Sequence, residues 1–214
     1  MAISLAQASS MDLSQDYNFT GTVTGMGTAG AMTLIKTLTA SSSSSLSFVN
    51  GSNDVVLDST YKAYKFVFKN IHPADDSVYF TVNFSTDSGS NYNVTKTSTV
   101  FIGFHNEADS TAVLQYQTAD DLAQSTSYQK MTVLIGNGSD ESSSGSMYLF
   151  NPSSTTYVKH FMSETNDYER NNASSNTRVA GYGNTTSAIN AVDFKFDTGN
   201  IDAGTIKLYG VSTS

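Results

Sequence analysis

Polar and apolar residues alternate along most of this chain, and that period of two restricts its fold more than any other feature. The segment 78–84 reads VYFTVNF, with Val or Phe at every second position. Segments 64–68 and 192–196 repeat the pattern as YKFVF and VDFKF. Because successive side chains of a β-strand point to opposite faces of a sheet, each segment is predicted to be a strand with one buried face.

Strand patterns of this kind recur from Met32 onward, and no stretch of ten residues shows the period of a helix. Turn-forming residues separate the strands, and Asp87–Asn91, between two alternating runs, predicts a hairpin. An all-β chain of about twelve short strands favours a β-sandwich, jelly-roll-like in type. The predicted strands are Thr33–Thr39, Leu46–Val49, Tyr64–Lys69, Val78–Phe84, Thr99–Phe104, Ala112–Gln117, Gln129–Ile135, Met147–Asn151, Tyr157–Met162, Arg178–Tyr182, Val192–Phe196 and Ile206–Tyr209.

Residues 1–30 differ from the rest of the chain, because their apolar residues are spaced among small and polar ones and a Gly/Thr-rich run closes the segment. Such a run disfavours a helix and builds no core of its own. We interpret 1–30 as an extended N-terminal docking arm and 31–214 as the sandwich domain; about 25 extended residues reach roughly 80 Å, onto a neighbouring subunit. The alternative is that the segment supplies the first strand of the same sandwich. The residues expected to dock are Ile3, Leu5, Met11, Leu13, Tyr17 and Phe19.

Composition argues against several classes of protein. The chain has 12 Phe and 12 Tyr, enough for a core, but only 14% charged residues. Ser, Thr and Asn make up about a third of it, so hydroxyls and amides solvate its surface. A net charge of −8 argues against a nucleic-acid partner. No apolar run approaches the roughly 18 residues of a membrane span, and the absence of cysteine excludes disulfides and thiolate sites.

Motifs that carry catalytic chemistry are not apparent. His72, His105 and His160 form neither HxH nor HExxH, so they predict no metal site. GxSxG, the motif of the nucleophile elbow, does not occur. Adjacent acids such as those at 75–76 and 120–121 lie in predicted loops and are expected to be solvated surface. We therefore predict a protein that is not an enzyme and has no resident cofactor.

Two predicted loops offer side-chain oxygens to a ligand. Oxygen atoms are the ligands that a hard cation such as calcium prefers, so calcium binding at these loops is a hypothesis. The spacing of an EF-hand is absent. Outward tyrosines such as Tyr79 suit stacking on a sugar ring, although the lack of Trp weakens a lectin interpretation. The loop residues in question are Asp87, Ser88, Asn91, Asn137 and Asp140.

Several segments together resemble one family. They are SLAQA at 4–8, FTGTVTG at 19–25, YKFVFKNIHP at 64–73, STDSGSNY at 85–92 and GNIDAGTIKLYGV at 199–211. The chain resembles, over essentially its whole length, the small β-rich virion proteins of marine tailed bacteriophages and the terminal domains of some of their tail fibres. The resemblance implies a virion structural protein that is assembled in the host cytoplasm, displayed outside the particle and often oligomeric, with a homotrimer as the default. It implies no catalytic residue.

The leading hypothesis is a capsid decoration or cement protein that docks through its arm on the major capsid protein or another virion protein. Its length favours this placement, because a sandwich plus the arm leaves no residues for the stalk of a fibre. The alternative is a tail-fibre or receptor-binding head that contacts host glycan. A secreted carbohydrate-binding domain is the third hypothesis. We expect no nucleic-acid partner and no membrane partner.

Overall fold

The alternating segments form strands. The computed structural model describes residues 31–212, and this stretch contains twelve β-strands and no helix. The predicted arm lies outside the described residues, so the docking role of Ile3, Leu5, Met11, Leu13, Tyr17 and Phe19 stays a prediction. The strands are β1 (Met32–Thr39), β2 (Leu46–Val49), β3 (Ala63–Pro73), β4 (Phe80–Ser85), β5 (Lys96–Asn106), β6 (Ala112–Tyr116), β7 (Gln129–Lys130), β8 (Ser143–Phe150), β9 (Lys159–Glu169), β10 (Ala173–Gly183), β11 (Ala191–Phe196) and β12 (Ile201–Val211).

These strands make two antiparallel sheets. The larger sheet has eight strands in the order β1-β12-β3-β8-β9-β10-β5-β6, and the smaller has four in the order β2-β11-β4-β7. The inward apolar side chains of both sheets join in one core, as in a β-sandwich. The prediction of an all-β, sandwich-like chain is confirmed.

Aromatic rings fill the space between the two sheets. The ring centroid of Phe194 lies 5.2 Å from that of Phe66, 5.3 Å from that of Phe68 and 5.9 Å from that of Phe80. All four side chains are buried. Each of these four phenylalanines occupies one of the alternating apolar positions that predicted its strand. The same pattern therefore predicted both the strands and the core residues.

The connection at Asp87–Asn91 is not a hairpin, and the prediction of one is wrong. The preceding strand β4 pairs with β11 and β7, whereas the following strand β5 pairs with β10 and β6 in the other sheet. The turn itself is present, with Ser88 and Gly89 in the left-handed region at φ 59° and 83°. Turn chemistry sets where the chain reverses but not which strand becomes the partner, and residues 86–95 cross between the sheets.

Several strands differ in extent from their predictions, and the differences at β7, β9 and β10 are the most informative. The predicted segment 129–135 forms a strand only at Gln129–Lys130. In contrast, β9 and β10 each run for 11 residues, well beyond the apolar segments that predicted them. Their additional inward positions carry buried polar residues such as Thr165, Asp167 and Ser175, so the apolar alternation that marks a strand is interrupted there.

Candidate interaction surface

The outer face of the eight-stranded sheet is partly apolar, although this face points away from the core. An antiparallel sheet normally carries polar residues on its solvated face, so outward apolar residues indicate a contact surface. We call the six outward residues Phe101, Leu114, Tyr116, Tyr148, Phe150 and Met162 the outer patch. The register aligns one row across seven strands, formed by Leu34, Tyr209, Lys65, Tyr148, Met162, Ala180 and Thr99.

Three aromatic rings of the outer patch, those of Phe101, Tyr148 and Phe150, line a depression. Phe101 and Tyr116 pack edge to face with their centroids 5.1 Å apart, and Tyr148 and Phe150 stack at 5.9 Å. The depression has a volume of about 460 Å³, and Met162, which is 54% exposed, also lines it. A volume of this size is within the range of small-ligand pockets, and it also suits an inserted side chain of a partner protein.

One ion pair lies in the same depression. Nε and Nη2 of Arg178 both donate to Oε1 of Glu164, at 3.1 and 2.8 Å. Both side chains are more than half exposed, so the pair stabilises the fold by less than about 1 kcal/mol. The pair places charged, hydrogen-bonding groups among the apolar side chains of the depression.

Strand β6 forms a free edge beside the outer patch. Within residues 31–212 it pairs only with β5, and all five of its residues are exposed, Leu114 by 83%. It contains neither Lys nor Pro, the residues that commonly block strand addition at an edge. The hydroxyl of Tyr116 donates to Oδ2 of Asp121 at 2.5 Å and fixes that ring on the patch. This edge can therefore accept a further strand from a partner.

The predicted ligand residues Asp87, Ser88 and Asn91 lie together in one tight turn, but they bond mainly to one another and to their neighbours. Oδ1 of Asp87 accepts the hydroxyl of Ser85 at 2.6 Å and the N–H of Asn91 at 2.9 Å, and Oδ2 accepts the Asn91 amide at 2.7 Å. These bonds, the one from Ser85 foremost, lower the pKa of Asp87 to about 2. The N–H of Ser88 donates to the side chain of Asn190. The turn uses the Asp87 oxygens for its own stability, and calcium binding there stays a prediction.

Asn137 and Asp140, the other predicted ligand residues, do not join that turn. The Asn137 amide donates to the carbonyl oxygen of Ala74 at 3.2 Å, and Asp140 is exposed. Ala74 precedes β4 and Asp87 follows it, so the two loops lie at opposite ends of a strand about 20 Å long. They do not form one site. Within the described range, no three His, Asp or Glu side chains group so that they could hold a metal ion.

Tyr79 has one ring face covered. Nζ of Lys130 lies 3.8 Å from the centroid of that ring and makes a cation–π contact. That face is therefore not open to a sugar. Exposed aromatic rings are found instead in the outer patch, at Phe101, Tyr116 and Phe150, and at Tyr157 outside it.

Sequence reasoning missed the outer patch, although a signal for it was present. Phe101 lies between Val100 and Ile102, and Leu149 lies between Tyr148 and Phe150. A strand with one solvated face should alternate, so consecutive apolar residues indicate a second apolar face. A run of consecutive apolar residues does not reveal which strands share a sheet. The outer patch forms only because the strands that contain these runs lie in the same sheet.

Comparisons with protein-family models, with curated proteins and with solved structures found no match. Within residues 31–212, no helix has the length and apolar character needed to span a membrane. The resemblance to bacteriophage virion proteins therefore stays a prediction.

Proposed function

We propose that this protein is a non-enzymatic structural protein of a bacteriophage virion, placed on the capsid exterior as a decoration or cement protein. In this proposal its sandwich is jelly-roll-like, residues 1–30 dock on the major capsid protein or another virion protein, and the displayed form is a homotrimer. The sequence resemblance supplies the class of particle. The outer patch supplies the physical reason for a role in attachment.

The outer patch is the observation that carries the proposal. Contiguous exposed apolar surface beyond a few hundred Å² marks interaction sites in soluble proteins. Eight strands about 4.8 Å apart make a face roughly 34 Å wide. A standard interface takes about 800 Å² from each partner, which a face of this width can supply. Burying Phe101, Leu114 and Met162 there would remove three exposed apolar side chains from water.

The charge of the chain supports a place outside the particle. The net charge of −8 repels nucleic acid, and few Lys or Arg side chains are available to bind phosphate. Hydroxyl and amide groups keep the rest of the surface hydrated without attracting unrelated charged molecules. These properties suit a protein that contacts one partner and otherwise stays in solvent.

One observation favours the alternative, a tail-fibre or receptor-binding head that contacts host glycan. The depression combines the stacked rings of Tyr148 and Phe150 with the polar groups of Arg178 and Glu164. Aromatic faces beside hydrogen-bonding groups are what a sugar ring requires. A secreted carbohydrate-binding domain would use the same depression.

The number of copies in each particle separates these proposals. Quantitative gel densitometry of purified particles should show hundreds of copies for a decoration protein, and a particle reconstruction should place it on the capsid. A handful of copies at the tail would refute decoration. Binding of the isolated protein to glycans of susceptible cells would then support the receptor-binding alternative.

A matched pair of variants tests the outer patch itself. Met162→Asp places a charge in the middle of the patch, whereas Ser174→Asp places one at an exposed polar position of the neighbouring strand on the same face. We expect Met162→Asp to reduce incorporation into particles about tenfold or more, as loss of a buried anchor does. Ser174→Asp should incorporate normally. Equal incorporation of the two variants, both folded by circular dichroism, would refute a docking role for the patch.

A further inference from the structure

Lys96, the first residue of β5, is a fully buried lysine that makes no ion pair with a carboxylate of the described residues. Its Nζ lies 2.5 Å from Oδ1 of Asn83 and 2.7 Å from the carbonyl oxygen of Val94. The ion pairs formed within residues 31–212 do not include it. Burial lowers the pKa of Lys96 to about 7, so near neutral pH a large share of molecules carries the uncharged, nucleophilic amine.

The side-chain amide of Asn83 is held in place on both sides. Its Nδ2 donates to the carbonyl oxygens of Tyr92 and Thr126, at 2.6 and 3.0 Å. Its Oδ1 accepts the backbone N–H of Phe84 at 2.9 Å in addition to the Lys96 amine. Donors aimed at an amide oxygen polarise the carbonyl and stabilise negative charge that develops there, as in an oxyanion hole. The amine and an activated amide carbon are thus next to each other in a site that excludes water.

We propose that Lys96 and Asn83 join through an intramolecular amide bond. The lone pair of Nζ attacks Cγ of Asn83, and the carbonyl electrons move onto Oδ1. The electron pair on Oδ1 then re-forms the carbonyl bond to Cγ as the bond from Cγ to Nδ2 breaks. One of the two Nζ protons passes to Nδ2, which leaves as ammonia. The step consumes no oxidant or cofactor, and it removes a buried amine that would otherwise have to be kept uncharged or unpaired.

Asp193 of β11 is the carboxylate that we assign to that proton transfer. It is buried and is the direct cross-strand partner of Asn83. Directly paired residues share one face of a sheet, with Cβ atoms about 5 Å apart. The hydroxyls of Ser47 and Tyr128 donate to its two oxygens, at 2.5 and 2.9 Å, and hold the carboxylate on that face.

Lys159 gives an internal comparison. It is also fully buried, and it lies in the same cross-strand row as Lys96, with Gly183 between them. Its Nζ, however, donates to the backbone carbonyl oxygens of Tyr157 and Thr185, at 2.7 and 3.3 Å. No side-chain amide in the described part of the chain is hydrogen-bonded to this amine, so Lys159 has the burial of Lys96 but not its reaction partner.

The proposed bond connects the two sheets. Asn83 belongs to β4 in the four-stranded sheet, and Lys96 opens β5 in the eight-stranded sheet. A covalent link between them closes a loop of residues 84–95, which contains the crossing connection 86–95, and restricts the unfolded chain, as a disulfide does. The chain has no cysteine to make a disulfide. This inference goes beyond the proposed function and does not depend on where the protein docks.

Tryptic mass mapping of the full-length protein, after incubation at mildly alkaline pH, tests the proposal. Trypsin does not cut after an amidated lysine, so we expect one peptide covering 70–130 that is lighter by one ammonia, about 17 Da. Separate peptides 70–96 and 97–130 at full mass would overturn the proposal. If ammonia is lost at another asparagine, trypsin still cuts after Lys96. The uncut peptide 70–130 therefore distinguishes the proposed bond from such a loss.

Variants identify the reacting groups. Asn83→Ala and Lys96→Met should each abolish the ammonia loss in this region, whereas Lys159→Met, the matched control, should retain it. Persistence of the loss in Asn83→Ala would overturn the assignment. Asp193→Asn should slow the appearance of the joined peptide after refolding, and an unchanged rate would overturn the role of Asp193. The wild-type peptide map decides the main claim even where a variant fails to fold.

Discussion

Asp167 should make this fold less stable as the pH rises from acidic to neutral. This residue faces inward from β9 and is only 1% exposed. Within residues 31–212, neither of its carboxyl oxygens makes a well-formed hydrogen bond. Burial raises the pKa of Asp167 from 3.8 to about 7, and the nearby Ser143 hydroxyl, Val133 N–H and Thr165 hydroxyl oppose this only in part.

The surroundings of Asp167 explain why the neutral form is favoured. The hydroxyls of Ser143, Ser163, Ser175 and Thr177, on the inward faces of β8, β9 and β10, are also buried, and within the described residues none of them makes a well-formed hydrogen bond. Each such group costs about 1–3 kcal/mol compared with its hydrated state. A protonated carboxyl can both donate and accept in this layer, whereas a carboxylate can only accept and also loses its hydration.

The sign and size of the effect follow from the two pKa values. Because the folded protein holds this proton more tightly than the unfolded chain does, the free energy of unfolding is highest below the unfolded pKa of 3.8. It falls as the pH rises from 3.8 to about 7 and is then level as far as this residue is concerned. A difference of roughly three pKa units corresponds to about 4 kcal/mol.

Urea unfolding of the wild type and of Asp167→Asn, from about pH 4 to about pH 8, measures this effect. The asparagine side chain has nearly the same size and cannot ionise, so the variant should lose most of the pH dependence and be the more stable protein at the alkaline end. Asp140→Asn, which removes an exposed carboxyl, is the matched control and should follow the wild-type curve. An Asp167→Asn curve parallel to that of the wild type would refute the reasoning.

Two further predictions concern packing. Phe194→Ala should lower the free energy of unfolding by about 3–5 kcal/mol, because it opens a cavity at the centre of the core. Phe101→Ala, at a position that is 47% exposed, should lower it much less in the same thermal-unfolding experiment. Similar losses would contradict the assignment of the core. Gly204→Ala should destabilise by about 1 kcal/mol or more, because Gly204 has φ 119° and an added Cβ would lie 2.5 Å from the carbonyl oxygen of Asn70. Gly103→Ala, where an added Cβ meets nothing within 4 Å, should leave the melting temperature nearly unchanged, and equal shifts for the two glycines would contradict this account.

Much of the secondary structure was predictable, because alternation is a local property. Val78–Phe84 and Val192–Phe196 overlap β4 and β11, and the residues that marked them are the core residues. Strand pairing was not predictable in the same way. The turn at Asp87–Asn91 suggested a hairpin, but the strands before and after it entered different sheets. Pairing depends on which distant strands bury the most apolar surface together, and a turn does not carry that information.

The candidate site was predictable only in fragments. Phe101 and Met162 were recognised as strand residues, but nothing local showed that their strands would lie two apart in one sheet with both side chains outward. The inward polar residues of β9 were not predicted either, because polar side chains in a strand normally indicate a solvated face. Thr165 and Asp167 read as solvated positions, and only the packing of loops and strands against them makes them buried.

By itself, then, the amino-acid sequence determined the all-β class, the alternating core positions and the acidic, cysteine-free character of this protein. These properties depend only on residues that are neighbours along the chain and on how many residues of each type the chain contains. The tertiary structure alone decided three further features. It placed the apolar side chains of separate strands side by side in the outer patch, buried the Asp167 carboxyl without a well-formed hydrogen bond to any described residue, and brought the Lys96 amine to the Asn83 amide. Each of these features depends on distances between residues far apart in the fold, and such distances exist only after the sheets have packed.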